Sequence, residues 1–301
     1  MRKIFAVPLL ALCLVLVMVA PAAAAPTRVI VLPGATSAEA ITAGRGSTFY
    51  AGDLFNGDIF RGDIRRGTAE LFIDVPAGTM TVGMDLDERH DLLFVAGGWG
   101  KAYVYSVRTR ALVAKFDLGD SQTSFINDVT LTPYGAWFTD SYQPRLYFLP
   151  VLHGVPGPVR TLELHGDAAG KPGDFNINDI TATPSGRTLL VAPASVQKLC
   201  TINPITGVIT EVDNVNLPGA DGLVLDGRRL WAVHFNDKVS WWRLNVDLTH
   251  GEPDGEILDD AFGAPVTAAK FGNRLAVVNS HLDTGIPPTS PTYEVVVVDA
   301  G

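Results

Sequence analysis

Cysteine is nearly absent: the 301 residues contain 2, Cys13 and Cys200. Cys13 lies in an apolar run from Ile4 to Ala20, which follows Arg2 and Lys3 and precedes Pro21 and the alanines 22 to 25. A short positive region, an apolar run and a stretch of small residues form the pattern of a secretory signal peptide, with cleavage expected after Ala24. The run is near the lower limit for spanning a bilayer, and the alanine block fits cleavage better than anchoring. Residues 1–24 are therefore read as a leader and 25–301 as the mature domain, secreted or otherwise extracytoplasmic. No later stretch is long and apolar enough to cross a membrane, so no stable insertion is expected after cleavage. With Cys200 alone, the mature chain has no intramolecular disulfide and must be held by its core.

Charge is also scarce, at 18% of residues. Without Arg2 and Lys3, 21 basic residues face 32 acidic ones, a net charge of −11. An acidic chain with scattered Lys and Arg is a poor match for a phosphate backbone, which excludes nucleic acid as an expected partner. Of 6 histidines, His90, His153, His165 and His250 fall in turns or outer connections without metal-ligand spacing. That argues against a zinc or redox copper enzyme. No Gly-x-Ser-x-Gly elbow is present, so a serine hydrolase has no anchor.

What the chain does have is 47% hydrophobic residues with 30 Gly and 20 Pro, a mixture that points to β architecture. It also repeats. Six segments align, beginning at Glu39, Val82, Asn127, Asn178, Asp221 and Val266, with starts 43, 45, 51, 43 and 45 residues apart. Each reads as an alternating strand, a tight turn, an apolar strand, a loop and a third strand. The turns carry Arg45-Gly46, Pro133-Tyr134-Gly135, Pro184-Ser185-Gly186, Asp226-Gly227 and Gly272-Asn273. Fourth strands follow in several units, such as those starting at Leu112 and Val208. Four-stranded units of this length are the signature of a β-propeller. Two separate β-sandwiches would not explain a repeat that stays in phase from end to end. The expected fold is all-β, a six-bladed β-propeller. Its last unit lacks a fourth strand, and the unassigned run from Thr27 to Leu32 is expected to supply it and close the ring.

The first strand of each blade lines the axis, so residues at one phase just before it ring one mouth of the channel. That phase reads Glu39, Val82, Asn127, Asn178, Asp221 and Val266. Four are oxygen donors and two of those are acidic. Hard divalent cations take such ligands, and a net −2 would neutralise Ca²⁺ or Mg²⁺. The alternative is that Asn and Asp here only shape turns between blades. Loops after the second strands return to the same mouth. They present Asp53 and Asn56, Trp99 and Lys101, Asp140 and Tyr142, Ser195, His234 and Asn236, and Asn279 and His281. Such a rim suits a small oxygenated ligand, with His234 and His281 as further acid–base groups.

Several runs together resemble the gluconolactonase/regucalcin-like family of six-bladed propellers. They are Glu39 before the first strand, Phe94 to Tyr105, Asn127-Asp128-Val129 with Phe138-Thr139-Asp140-Ser141 behind it, Asn178 to Pro184, and Asp221-Gly222-Leu223 with Leu230 to Val233. The resemblance implies a divalent metal, usually calcium, at the channel mouth. Glu39, Asn178 and Asp221 would be direct ligands, Asn127 a further ligand or a substrate contact, and Asp221 also the candidate base. Trp99, Asp140, Tyr142, His234 and His281 are the candidate substrate contacts on the rim. The chain departs from the family in carrying Asp179 where Gly is frequent, which adds a carboxylate near the site. The flanks of Glu39, Ser37-Ala38 and Ala40, also differ from the usual Gly or Pro context. A metal that polarises a carbonyl and acidifies a water, with a carboxylate to take the proton, suffices for lactone or ester hydrolysis. The expectation is a secreted, metal-dependent hydrolase of a small lactone or ester. A binding propeller that holds a ligand or partner without catalysis is the alternative.

Overall fold

The computed structural model describes residues 26–235 and 238–301. The leader expected at 1–24 lies outside the described residues. The rest of the chain forms six antiparallel sheets. Blade 1 comprises strands Ala38–Ala43, Thr48–Asp53, Ile59–Asp63 and Thr68–Ile73. Blade 2 comprises Gly83–Asp87, Leu92–Ala96, Lys101–Ser106 and Leu112–Asp117. Blade 3 has Ile126–Thr132, Gly135–Asp140, Arg145–Leu152 and Arg160–Glu163, with the short strand Val155–Pro156 folded back on the third. Blade 4 has Ile180–Ala182, Leu189–Val191, Lys198–Ile202 and Ile209–Asn216. Blade 5 has Ala220–Asp226, Arg229–His234, Lys238–Leu244 and Gly251–Leu258. Blade 6 runs Pro265–Phe271, Arg274–Asn279 and Glu294–Asp299, and its outer strand is the N-terminal Arg28–Val31.

That outer strand is the closure expected from the sequence. Arg28 pairs with Val297 and Ile30 with Val295, so the first strand covers the edge that the last blade would otherwise expose. Further bonds tie the ring at its C-terminus, where Trp231 Nε1–H in blade 5 donates to the Ala300 carbonyl at 2.8 Å.

Blade packing explains the strand patterns. A second strand lies between two neighbouring blades and is buried on both faces, so Leu92–Ala96 is apolar and buried throughout. Outer strands such as Leu112–Asp117 are half-exposed and carry charge. The core is correspondingly a ring of separate clusters, each filling one space between adjacent blades. Tyr50, Ile59, Phe72, Met84, Leu93 and Tyr103 join blades 1 and 2. Ile30, Ile41, Phe49, Val266, Val278 and Val295 join blades 6 and 1. Cys200 is buried in the cluster between blades 3 and 4, and burial pushes its thiol up to about 12, the behaviour of a structural residue.

The innermost strands carry a recurrent irregularity. Register shifts fall between Ala38 and Ile41, Ile126 and Val129, Ala220 and Gly222, and Pro265 and Ala268. All four lie at the end where the strand enters the channel. A bulge breaks the strict alternation of side chains and re-aims two consecutive residues toward one side. The fold thereby turns Asn127 and Asp128 into the channel together.

Candidate functional site

Glu39, Asn127, Asn178 and Asp221 line one small cavity at the channel mouth, with Val82, Gly83, Asp128, Asp179, Val266 and Thr267 around them. Three of the four sit inside the first residues of their strands rather than before them, at the bulges. Asn178 precedes the short inner strand of blade 4. The enclosed space is about 20 Å³, room for one water or one ion.

The donors form a chain around the mouth. Asn127 Nδ2–H donates to Ser141 Oγ at 3.0 Å and to Asn178 Oδ1 at 2.5 Å. Asn178 Nδ2–H in turn donates to Asp221 Oδ1. Ser141 donates to the Ile177 carbonyl at 2.7 Å, and Thr139 Oγ1–H donates to the Asn178 carbonyl at 3.0 Å. Ser141, just past the second strand of blade 3, thus holds the Asn127 amide, and Thr139 on that strand holds the Asn178 backbone. Glu39 Oε2 is buried with no hydrogen-bond partner.

Electrostatics at the mouth are one-sided, because among the described residues no Lys, Arg or His lines the cavity. Burial holds the Glu39 carboxyl well above its usual range, and repulsion from Asp221 and Asp128 adds to this. Burial also raises Asp221 to about 7. Asp128 is raised to about 7 by burial, against the lowering effect of the backbone N–H of Ile180, and Asp179 is held high by burial and by Asp128. The wider channel below, about 200 Å³, adds Asp85 and ends near Lys270, which pairs with Asp226 at 2.7 Å.

Some of these carboxylates have a structural task. Asp85 Oδ2 accepts from the Leu131 N–H of the next blade at 2.8 Å, and Asp128 Oδ2 from Ile180 N–H at 3.0 Å. Asp179 does the same for Leu223. Neighbouring inner strands are not paired with one another, so these inward N–H groups would otherwise lack an acceptor. The close approach leaves no room for a side chain at Gly83, where a Cβ would lie 2.2 Å from Asp128 Oδ1.

On the rim, Trp99 is exposed and near-parallel to Tyr142, with ring centroids 6.4 Å apart. His281 is partly buried, with Nε2 2.8 Å from Glu294 Oε1. Two expected rim contacts stand elsewhere. Asp140 is 0% exposed and accepts from the N–H groups of Phe125 and Tyr142 and from the Tyr147 hydroxyl. His234 is 1% exposed, with Nδ1 2.9 Å from the Pro218 carbonyl and Nε2 2.7 Å from Ser240 Oγ, and burial lowers its pKa. Both therefore hold loops rather than face the mouth. Asp53 and Asn279 do the same at equivalent corners, accepting from Thr36 and Gly263 N–H. Lys101 pairs with Asp117 on the outer strand of its blade, and Asn236 lies outside the described residues.

The sequence reading missed Ser141, Thr139 and Asp128. A signal was available for the first two, since they flank Asp140 in an extended run whose side chains alternate. Asp128 was hidden because only the bulge brings it beside Asn127. Among the described residues, no three His, Cys, Asp or Glu side chains are arranged to hold a metal ion. The four residues expected from the sequence supply two carboxylates and two amides, and Asp128 and Asp179 add two more carboxylates to the lining.

Fold and mouth together define the chain's class as a six-bladed, all-β propeller. No family model matches it, and no curated protein matches it. Solved structures do. The chain is similar to virginiamycin B lyase from Staphylococcus aureus, at 16% identity over 85% of this chain and 82% of that one, with a TM-score of 0.59. It is also similar to a protein from Lactobacillus plantarum, at 16% identity over 87% of each chain and a TM-score of 0.58. The WD40 repeats of RRP9 align at 8% identity over 90% of this chain and 97% of that chain, with a TM-score of 0.61. At such identities the likeness is one of fold.

Proposed function

We propose that this chain is a metal-dependent hydrolase of small lactones or esters that works outside the cytoplasm. In this reading Glu39, Asn127, Asn178 and Asp221 hold a divalent cation, Ca²⁺ foremost. The observation that carries the reading is the partnerless, buried Glu39 Oε2 in an ion-sized cavity lined by four carboxylates, Glu39, Asp128, Asp179 and Asp221, and two amides, with no cationic side chain among the described residues. Hard-cation chemistry fits this all-oxygen lining, and buried carboxylates without a counter-charge are costly on their own.

When bound, the cation supplies positive charge for polarising a carbonyl and for lowering the pKa of a water. The chain's own groups do the rest. Asp221 uses Oδ1 to accept the Asn178 amide, and among the described residues no donor meets its Oδ2. That oxygen is available to take a proton from the attacking water and to return one to the leaving alkoxide. The Asn127 amide is held by Ser141, and the Asn178 amide by Asn127 and Asp221, so their orientation is set before substrate arrives.

Turnover on a lactone panel tests the reading. Activity is expected to vanish with chelator and return with Ca²⁺. No turnover of any lactone or ester with metal present would sink it. If Ca²⁺ then still stabilised the fold, the chain would be a binding propeller instead.

A further inference from the structure

The rim of the mouth is chemically lopsided. Blades 2 to 4 present four aromatic rings in mutual contact. Trp99 and Phe125 meet edge to face at 5.2 Å, Phe125 and Tyr142 at 6.1 Å, and Tyr142 and Phe175 at 5.7 Å. Trp99 and Phe175 are each 48% exposed, whereas Trp137 and Trp231 are buried between blades. Across the mouth, blade 6 carries the polar His281–Glu294 pair instead.

Each ring is tied to a group of the mouth. Phe125 stands two residues before Asn127 and Phe175 three before Asn178. Tyr142 follows Ser141, the partner of the Asn127 amide. Trp99 follows Gly98, whose N–H donates to the Ile126 carbonyl at 3.0 Å and whose carbonyl accepts Ile126 N–H at 2.8 Å. Gly98 has φ +72°, and a Cβ there would lie 2.7 Å from Met80 Sδ, so the backbone is pinned where only glycine fits. Most polar groups of this sector are already engaged, the buried Asn176 Nδ2 beside Phe175 being the exception. Asp140 is saturated by four donors, the Ser124 side chain among them, and the Ser141 hydroxyl is spent on Ile177. The sector therefore offers ring faces and edges but few free hydrogen-bonding groups.

We infer that this four-ring surface is the subsite for an apolar part of the substrate, an aliphatic or aryl chain attached to the scissile lactone or ester. The inference rests on the hydrolase reading and narrows it: the substrates are hydrophobic lactones and esters rather than polyhydroxylated ones. A sugar lactone would bring hydroxyls to a surface with few partners for them. An alkyl chain would instead cover exposed Trp99 and Phe175.

The test compares γ-butyrolactone, γ-octalactone and gluconolactone on the Ca²⁺-loaded protein. Partial to full burial predicts a gain of roughly two- to four-fold per added methylene. The kcat/KM ratio of octalactone to butyrolactone is thus expected to exceed about ten-fold. In the double variant Trp99→Ala, Phe175→Ser, with an unchanged melting temperature as the fold control, that ratio is expected to collapse toward one. A wild-type ratio near one, a preference for gluconolactone, or a ratio kept by the double variant would overturn the subsite. If no lactone is hydrolysed, the hydrolase reading fails separately, and the subsite is then read by calorimetric binding of the same lactones. Octalactone binding more than about ten-fold tighter than butyrolactone in wild type only would support it, and equal affinities would overturn it.

Discussion

Replacing Asp221 by asparagine is expected to cost about 10²- to 10⁴-fold in kcat/KM on any lactone the protein hydrolyses, the span typical of a lost general base. The same change is expected to stabilise the metal-free protein. Burial lifts the Asp221 carboxyl to about 7, so above neutrality its charge is a burden on the folded state. Asparagine keeps an oxygen for the Asn178 amide and carries no charge. With chelator at pH 8, the variant should melt several degrees above the wild type. A variant that keeps full turnover would remove Asp221 from the mechanism. One that melts lower in chelator would contradict the cost of its buried charge.

The second large effect is a reversed pH dependence of stability without metal. Asp221 and Asp128 are raised to about 7, while in an unfolded chain they titrate near the ordinary aspartate value of 3.8. Between these values the unfolded state has lost protons that the folded state keeps. Stability is therefore fully present at acid pH and falls as pH rises toward 7, levelling off above it. A shift of about three units in one group is on the order of 4 kcal/mol, which corresponds to on the order of 10 °C in melting temperature. In chelator the melting temperature is expected to fall by about that much between pH 5 and pH 8. Ca²⁺ added at pH 8 should restore it, because a cation favours the ionised carboxylates. A melting temperature that holds level or rises with pH would show that these carboxylates do not carry the cost assigned to them.

Legibility in the sequence followed burial. Second strands such as Leu92–Ala96 are buried on both faces and read as unbroken apolar runs, so the repeat and the blade count were open to inspection. The closing strand was legible for a related reason. Arg28–Val31 had no unit of its own, and the last unit was one strand short. Glu39, Asn127, Asn178 and Asp221 shared a phase and do line one cavity. Other parts depended on register. Asp128 lines the same cavity because of a bulge between Ile126 and Val129, and nothing in the residue types announces that extra residue. Asp140 and His234 end their strands at the mouth and carry suitable chemistry. They are nevertheless turned toward backbone groups of the incoming loops, whose polar atoms need partners once buried. The aromatic sector was half visible: Trp99 and Tyr142 were on the expected rim, while Phe125 and Phe175 join them only through contacts between blades.

The central claim is that the mouth holds a cation, and calorimetric titration of Ca²⁺ into chelator-stripped protein tests it most directly. One site per chain is expected, with proton release near pH 7 as the raised carboxyls ionise, and with binding abolished or greatly weakened in Glu39→Gln. Absence of binding, or binding that Glu39→Gln leaves unchanged, would contradict the account.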